Sequence, residues 1–291
     1  MSVLTHATNG RTAKFGSGGT IIRARGNSAL EDSQIAEMAP SVFAIDKHVS
    51  RSERYTYIPT SEVLQGLRKE GFLPFEVRQG GSRDVVKRGF TKHMIRMRRP
   101  DVPMFGDSFR EVILVNSHDG TSSYQLMHGI FRVICTNGMI CGDFDAIRIP
   151  HKGDIVGQVI DAAYSIIDDG RAIESTVSEM RQIELSRGEQ IAFAESATLL
   201  RYDVESPSLV PVQAEQVNSP NRPQDVGNDL WRTFNRVQEN LVRGGVSYDH
   251  TNADGVRSRR NTRAINGIDQ DVRLNRALFN FAAKVAELKA S

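Results

Sequence analysis

The chain has 291 residues, with 37 Lys plus Arg against 35 Asp plus Glu, a formal charge of +2, 39% hydrophobic and 25% charged residues. This is globular composition, which excludes disorder as the overall description, while the near-neutral total names no partner. Two cysteines, Cys135 and Cys141, supply neither a disulfide framework nor a four-thiolate zinc site, and no apolar run has the length of a signal peptide or membrane span. The expectation is a soluble, cytoplasmic protein of one large domain or two ordinary ones.

Residues 1–45 are rich in Gly, Ser, Thr and Asn, with Gly16, Gly18, Gly19 and Gly26, and hold neither helical nor strand period, so they read as an extended arm. From 46 to 150 the pattern is that of an antiparallel meander carrying one helix. RYTYIPT alternates as a strand. Thr60 and Ser61 then open a short helix whose Val63, Leu64 and Leu67 share a face and which Gly71 closes. FLPFEVRQ, GFTKHMIRMRR, REVILVNS and YQLMHGIFRVICTNGMICGD follow as strands, with HDGTSS as a turn.

Between 151 and 205 apolar residues recur three and four apart, at Ile155, Val159, Ala162, Ala163, Ile166 and Ile167, predicting long helices with an acidic exposed side. Residues 206–291 read as a proline-rich linker and two amphipathic helices. One carries Leu230, Phe234, Val237 and Leu241 and ends at Gly244-Gly245; the other carries Leu274, Leu278 and Phe279. The polar, basic segment between these helices, SYDHTNADGVRSRRNTR, is expected to be mobile. The fold class is therefore α+β, a β-meander with a packed helix followed by a long-helix C-terminal region.

Charge is uneven along this plan. Arg78, Arg83, Lys87, Arg88, Lys92, Arg96, Arg98 and Arg99 face only Asp84, and Phe72, Phe75, Phe90, Tyr55 and Tyr57 lie nearby. Cations beside rings are what a sequence-independent groove for single-stranded nucleic acid requires, since phosphates take the charge and bases the ring faces. For any one of those rings a place in the core is the simpler reading. Arg257, Arg259, Arg260 and Arg263 could bind phosphate too, or keep a linker soluble.

His118-Asp119 is the most enzyme-like dipeptide, able in principle to share a metal in a nuclease or phosphohydrolase, although a tight turn at Asp119-Gly120 explains it more simply. No phosphate-binding glycine loop and no G-x-S-x-G elbow is present.

The segments IPTSEVLQGLRKEGF, FTKHMIRMRR, VNSHDGTSSYQLMHGIFRVICTNGM, DLWRTFNRVQENLVRGG and GIDQDVRLNRALF together resemble the phage- and plasmid-borne family catalogued as domain of unknown function 932, from about Tyr55 to Leu288. Members of that family tend to sit beside recombination and single-strand-binding genes. Its expected plan is similar to the core of single-strand annealing proteins of the Red-beta and Rad type, which form rings or filaments around a basic groove. The expectation that follows is a non-catalytic, cofactor-free protein that binds single-stranded DNA, anneals strands, and forms a homo-oligomer. A metal-dependent nuclease at His118-Asp119, or an interaction protein that inhibits host defence or serves particle assembly through its acidic helices, are the alternatives.

Overall fold

The computed structural model describes residues 10–15, 18–46, 58–134, 137–141, 146–150, 152–206 and 210–290. The residues Tyr55, Tyr57, Gly16 and Cys135 of the sequence reading lie outside these. The chain divides into two compact units, Met1–Phe131 with Phe144–Gly170, and Arg132–Asp143 with Arg171–Ser291. Among the described residues no helix is long and apolar enough to cross a membrane.

The first unit is an antiparallel sheet, as the alternating patterns predict. Its strands are β1 (Gly10–Phe15), β2 (Gly19–Ala24), β3 (Leu73–Gln79), β4 (His93–Arg98), β5 (Ser108–Asn116) and β6 (Tyr124–Arg132) in that spatial order, and β8 (Ile147–Ile149) pairs with β6. The intervening β7 (Asn137–Ile140) belongs to the second unit. The first segment is thus no extended arm. Its described part forms β1, β2 and helix α1 (Asp32–Met38), the last held by reciprocal capping between Glu31 and Gln34.

One face of the sheet is apolar in strict register. Ile22 lies opposite Val77, Val77 opposite Ile95 and Ile95 opposite Leu114. On it pack α1, helix α2 (Thr60–Lys69) through Val63, Leu64 and Leu67, and the start of helix α3 (Ile155–Gln182) through Ile155, Val159, Ala163 and Ile166. Helix α2 stops because Gly71 takes φ 83°, which lets its N–H reach the Arg68 carbonyl.

In the second unit the C-terminal part of α3 joins α4 (Arg187–Tyr202), the single turn α5 (Ala214–Val217), α6 (Leu230–Arg243) and α7 (Ile268–Ala290). Ser186 and Glu189 cap α4 reciprocally. Helix α6 is buried from Leu230 to Val242 except at Arg232, not amphipathic against solvent as its apolar spacing implies. Phe234 stacks on Trp231 at 5.6 Å and meets Phe279 of α7 edge-on at 6.0 Å.

The polar segment after α6 is folded rather than mobile. It forms a two-stranded ribbon of β9 (Ser247–Thr251) and β10 (Arg257–Asn261), with Arg257 opposite Thr251, Arg259 opposite Asp249 and Arg260 opposite Tyr248. Asn252 organises the tip by accepting from the backbone N–H groups of Asp254 and Val256. Gly244 sets the ribbon's exit from α6. Its φ of 68° and ψ of −153° belong to a region only glycine occupies without strain, and a Cβ there would lie 2.6 Å from Arg263 and Thr262 backbone atoms. Gly244→Ala should therefore destabilise the second unit by about 2–3 kcal/mol, read as a lower denaturation midpoint.

Candidate nucleic-acid interface

The expected basic strand does not present an open basic face. Met94, Arg96 and Arg98 share the side of the sheet away from the apolar core, yet Arg78, Arg96 and Arg98 are all buried and each is paired with a carboxylate. Arg23, Glu76 and Arg96 are neighbours across β2, β3 and β4. Glu76 accepts from Arg23 at 2.6 Å and from Arg78 at 2.5 Å, while Glu111 on β5 accepts from Arg96 at 2.6 Å and from Arg98 at 2.7 Å.

Burial alone would raise the Glu76 pKa, but Arg78, Arg23 and Arg96 together hold it well below the usual carboxylate range. The Arg98 guanidinium is also enclosed by rings, 3.7 Å from the Phe131 centroid, 4.4 Å from Phe75 and 5.4 Å from Phe109. Phe75 is thus a partner of a buried arginine rather than of a base.

The remaining cations of that segment are scattered. Arg99 makes a two-point pair with Asp101 over the rings of Phe72 and Tyr164. Arg88 is half-buried, donating to the Ser82 carbonyl and packing against Gly18. Lys92 is half-buried, and Arg83 and Lys87 are exposed on the connection between β3 and β4. No continuous cationic channel is formed by these eight residues.

His118 and Asp119 are not brought together as metal ligands. Asp119 lies at the surface, accepting from the backbone N–H and hydroxyl of Thr121 in a tight turn, and Gly120 takes φ 81°. His118 turns inward and is fully buried. Among the described residues no group of three or more His, Cys, Asp or Glu could hold a metal ion. Cys141 is buried.

His118 instead joins a buried polar cluster centred on the Thr60 hydroxyl, which lies 2.9 Å from His93 Nε2, 3.0 Å from His118 Nε2 and 3.0 Å from Asn116 Nδ2. His93 Nδ1 in turn lies 3.0 Å from the Ser41 hydroxyl and 3.3 Å from the Thr91 carbonyl, and the Asn116 amide donates to the Thr60 hydroxyl. Burial pushes the His93 pKa down to about 4.

Exposed cations are found in the second unit. Arg257, Arg259 and Arg260 project from β10, all exposed, and among the described residues no carboxylate lies within 4.0 Å of any of them or of Arg263. The register places Arg257 and Arg259 on one face of the ribbon and Arg260 on the other, beside Tyr248, with His250 next along. Arg263 follows at the root, where its carbonyl accepts from Arg201.

The root of the ribbon rests on a polar layer that composition alone does not reveal. Arg132 and Arg222 pair with the buried Asp225, while Arg222 and Arg243 pair with Glu239 of α6. Arg236 donates to the Asp225 and Gly227 carbonyls, to Asn218 and to Gln190. A legible signal was the interruption of the α6 apolar stripe by Arg236, Gln238, Glu239 and Asn240 in FNRVQENL. Glu76 and Glu111, each inside a strand run, were the corresponding signal in the sheet.

A curled antiparallel sheet covered by helices on one face, followed by a helical unit with a projecting basic ribbon, is the class of fold. The chain belongs to the family described as domain of unknown function DUF932, whose match covers residues 47–279. It is similar to two Escherichia coli (strain K12) proteins, UPF0380 protein YafZ and UPF0380 protein YfjQ. Each is 46% identical over 271 residues, covering 93% of this chain and 95% of the relative. No solved structure matches.

Two outcomes follow from the buried groups. Glu111→Gln leaves Arg96 and Arg98 without their shared counter-charge and should cost about 3–5 kcal/mol in denaturant unfolding, a loss that charge reversal at Arg96 would reproduce without reporting on any ligand. His93 is neutral when folded and takes a proton below about 6.5 when unfolded, so stability should fall by about 3 kcal/mol as pH drops from 6.5 to about 4. That part of the slope should vanish in His93→Gln, as measured by unfolding at stepped pH.

Proposed function

We propose that the protein is a non-catalytic, single-stranded DNA-binding protein whose contact surface is the β9–β10 ribbon, acting with mobile-element recombination or replication. The observation that carries this reading is the freedom of Arg257, Arg259 and Arg260, which are exposed and without carboxylate partners among the described residues, in contrast to the locked arginines of β3 and β4. Solvated guanidiniums can exchange counterions for phosphates, whereas buried, paired ones cannot without breaking the fold. Tyr248 and His250 on the adjoining strand add ring faces on which unpaired bases stack, which favours a single strand over a duplex.

In this reading the mechanism is neutralisation of phosphates with the base edges left accessible for pairing, and no cofactor takes part. Assembly of several copies into a ring or filament, in the manner of the annealing proteins of the Red-beta and Rad type, would align ribbons along one strand.

The test is the salt dependence of binding to a fluorescent oligo(dT). Replacing Arg257, Arg259 and Arg260 together by Gln should weaken binding and reduce the slope of log affinity against log salt by about 2, at about 0.7 per lost single-strand phosphate contact. A folded triple variant with the wild-type slope would remove the ribbon as the contact surface.

A further inference from the structure

At the root of the ribbon lies an open polar cleft of about 280 Å³, formed by Glu239, Asn240 and Arg243 of α6, by Asn221, and by the backbone of Gly244 and Gly245. Gln216, on its far wall, donates to the carbonyl of Ser247, the first residue of β9, so cleft and ribbon are one continuous surface. The paired strands run down to it, with Gly245 N–H donating to Thr262 and Thr262 N–H to Val246.

The chemistry of the cleft is set by its unfilled hydrogen-bonding groups. The Glu239 side chain is only 6% exposed, and both of its cations bind one oxygen: Oε1 accepts from Arg222 Nη2 at 2.5 Å and from Arg243 Nη1 at 3.1 Å. Oε2 accepts from no group among the described residues. Oε2 is open to the cleft rather than sealed in the interior, so an N–H or O–H of a ligand can reach it.

The second unfilled group is also an acceptor. Asn240 Nδ2 donates to the Val217 and Ser219 carbonyls, which fixes its Oδ1 as the acceptor for Asn221 Nδ2 at 2.9 Å. Asn221 Oδ1 therefore remains open at the exposed lip. A phosphate would bring more acceptors against a carboxylate and is the wrong ligand for this cleft; a group with two adjacent N–H donors is the right one.

We propose that the cleft receives a single unstacked nucleobase, guanine in preference to the others, from the strand whose phosphates the ribbon holds. The inference rests on the nucleic-acid reading above and adds a base-recognition site to it. Guanine alone among the DNA bases places a ring N–H and an amino group side by side, matching Glu239 Oε2 and Asn221 Oδ1; adenine, cytosine and thymine offer a lone amino or imino group. The volume fits one heterocycle and falls just short of the clefts of about 300–1,000 Å³ that hold larger ligands. At Gly245, with φ 86°, no atom lies within 4 Å of where a Cβ would be, so the backbone there leaves room for a flat ring.

The experiment uses the full chain and dT oligonucleotides carrying one central guanine, one inosine, which lacks the amino group, or one abasic site, with affinity read by fluorescence anisotropy at fixed salt. Guanine should bind about tenfold more tightly than inosine or the abasic strand. Asn221→Leu, an exposed change, should bring the guanine strand down to the affinity of the abasic one, and Glu239→Gln should do the same where it folds. Measurable but equal binding of all three strands would overturn the cleft site and leave the ribbon reading standing. Failure to bind any strand at low salt would overturn both, and a guanine preference that survives Asn221→Leu would place base recognition elsewhere.

Discussion

Two carboxylates decide what the sheet of this protein can do. Glu76 and Glu111 each hold two guanidiniums on the face opposite the apolar core, and they convert four arginines from candidate ligand-binding groups into cross-strand ties. Such an arrangement is weak evidence for added stability, since desolvating the charges offsets much of their attraction. Its consequence is specificity. A one-residue slip of β4 would carry Arg96 and Arg98 to the apolar side, away from both carboxylates, so the ion pairs resist any register but the observed one. The exposed cations that these carboxylates do not reach include Arg257, Arg259 and Arg260 on β10 and Arg83 and Lys87 between β3 and β4.

Much of the fold was legible because periodicity and punctuation are local. The α2 stripe of Val63, Leu64 and Leu67 with Gly71 at its end, the alternation of His93 to Arg98, and the capping residues of α4 are each specified within a few residues. The first forty-five residues were misread for a physical reason. Strands β1 and β2 are short, with Arg11 opposite Arg23 and Lys14 opposite Thr20, and the adjacent Ile21 and Ile22 of β2 do not make the apolar alternation of a half-buried strand. What makes β2 a strand is its pairing with β3, some fifty residues away, and β1 then pairs with β2.

The candidate site was legible in composition and illegible in placement. An arginine on an alternating strand reads identically whether its face is wet or buried, and the difference lies in Glu76 and Glu111, which arrive from other strands. The converse holds at Ser247–Asn261, where a stretch poor in apolar residues signals a mobile loop. Backbone pairing across the ribbon and the Asn252 turn order it without a hydrophobic face. The roles of Thr60 and Asn116 were invisible for the same reason, as each depends on partners remote in sequence.

The outermost strand of the sheet path, β1, is polar along its length, with Arg11, Thr12 and Lys14 turned to solvent. A terminal strand of that position offers an unpaired backbone rim to any other extended chain. Repelling like charges at its two ends make stacking of one copy's rim on another's unfavourable. Extension of the sheet through this strand is thereby disfavoured.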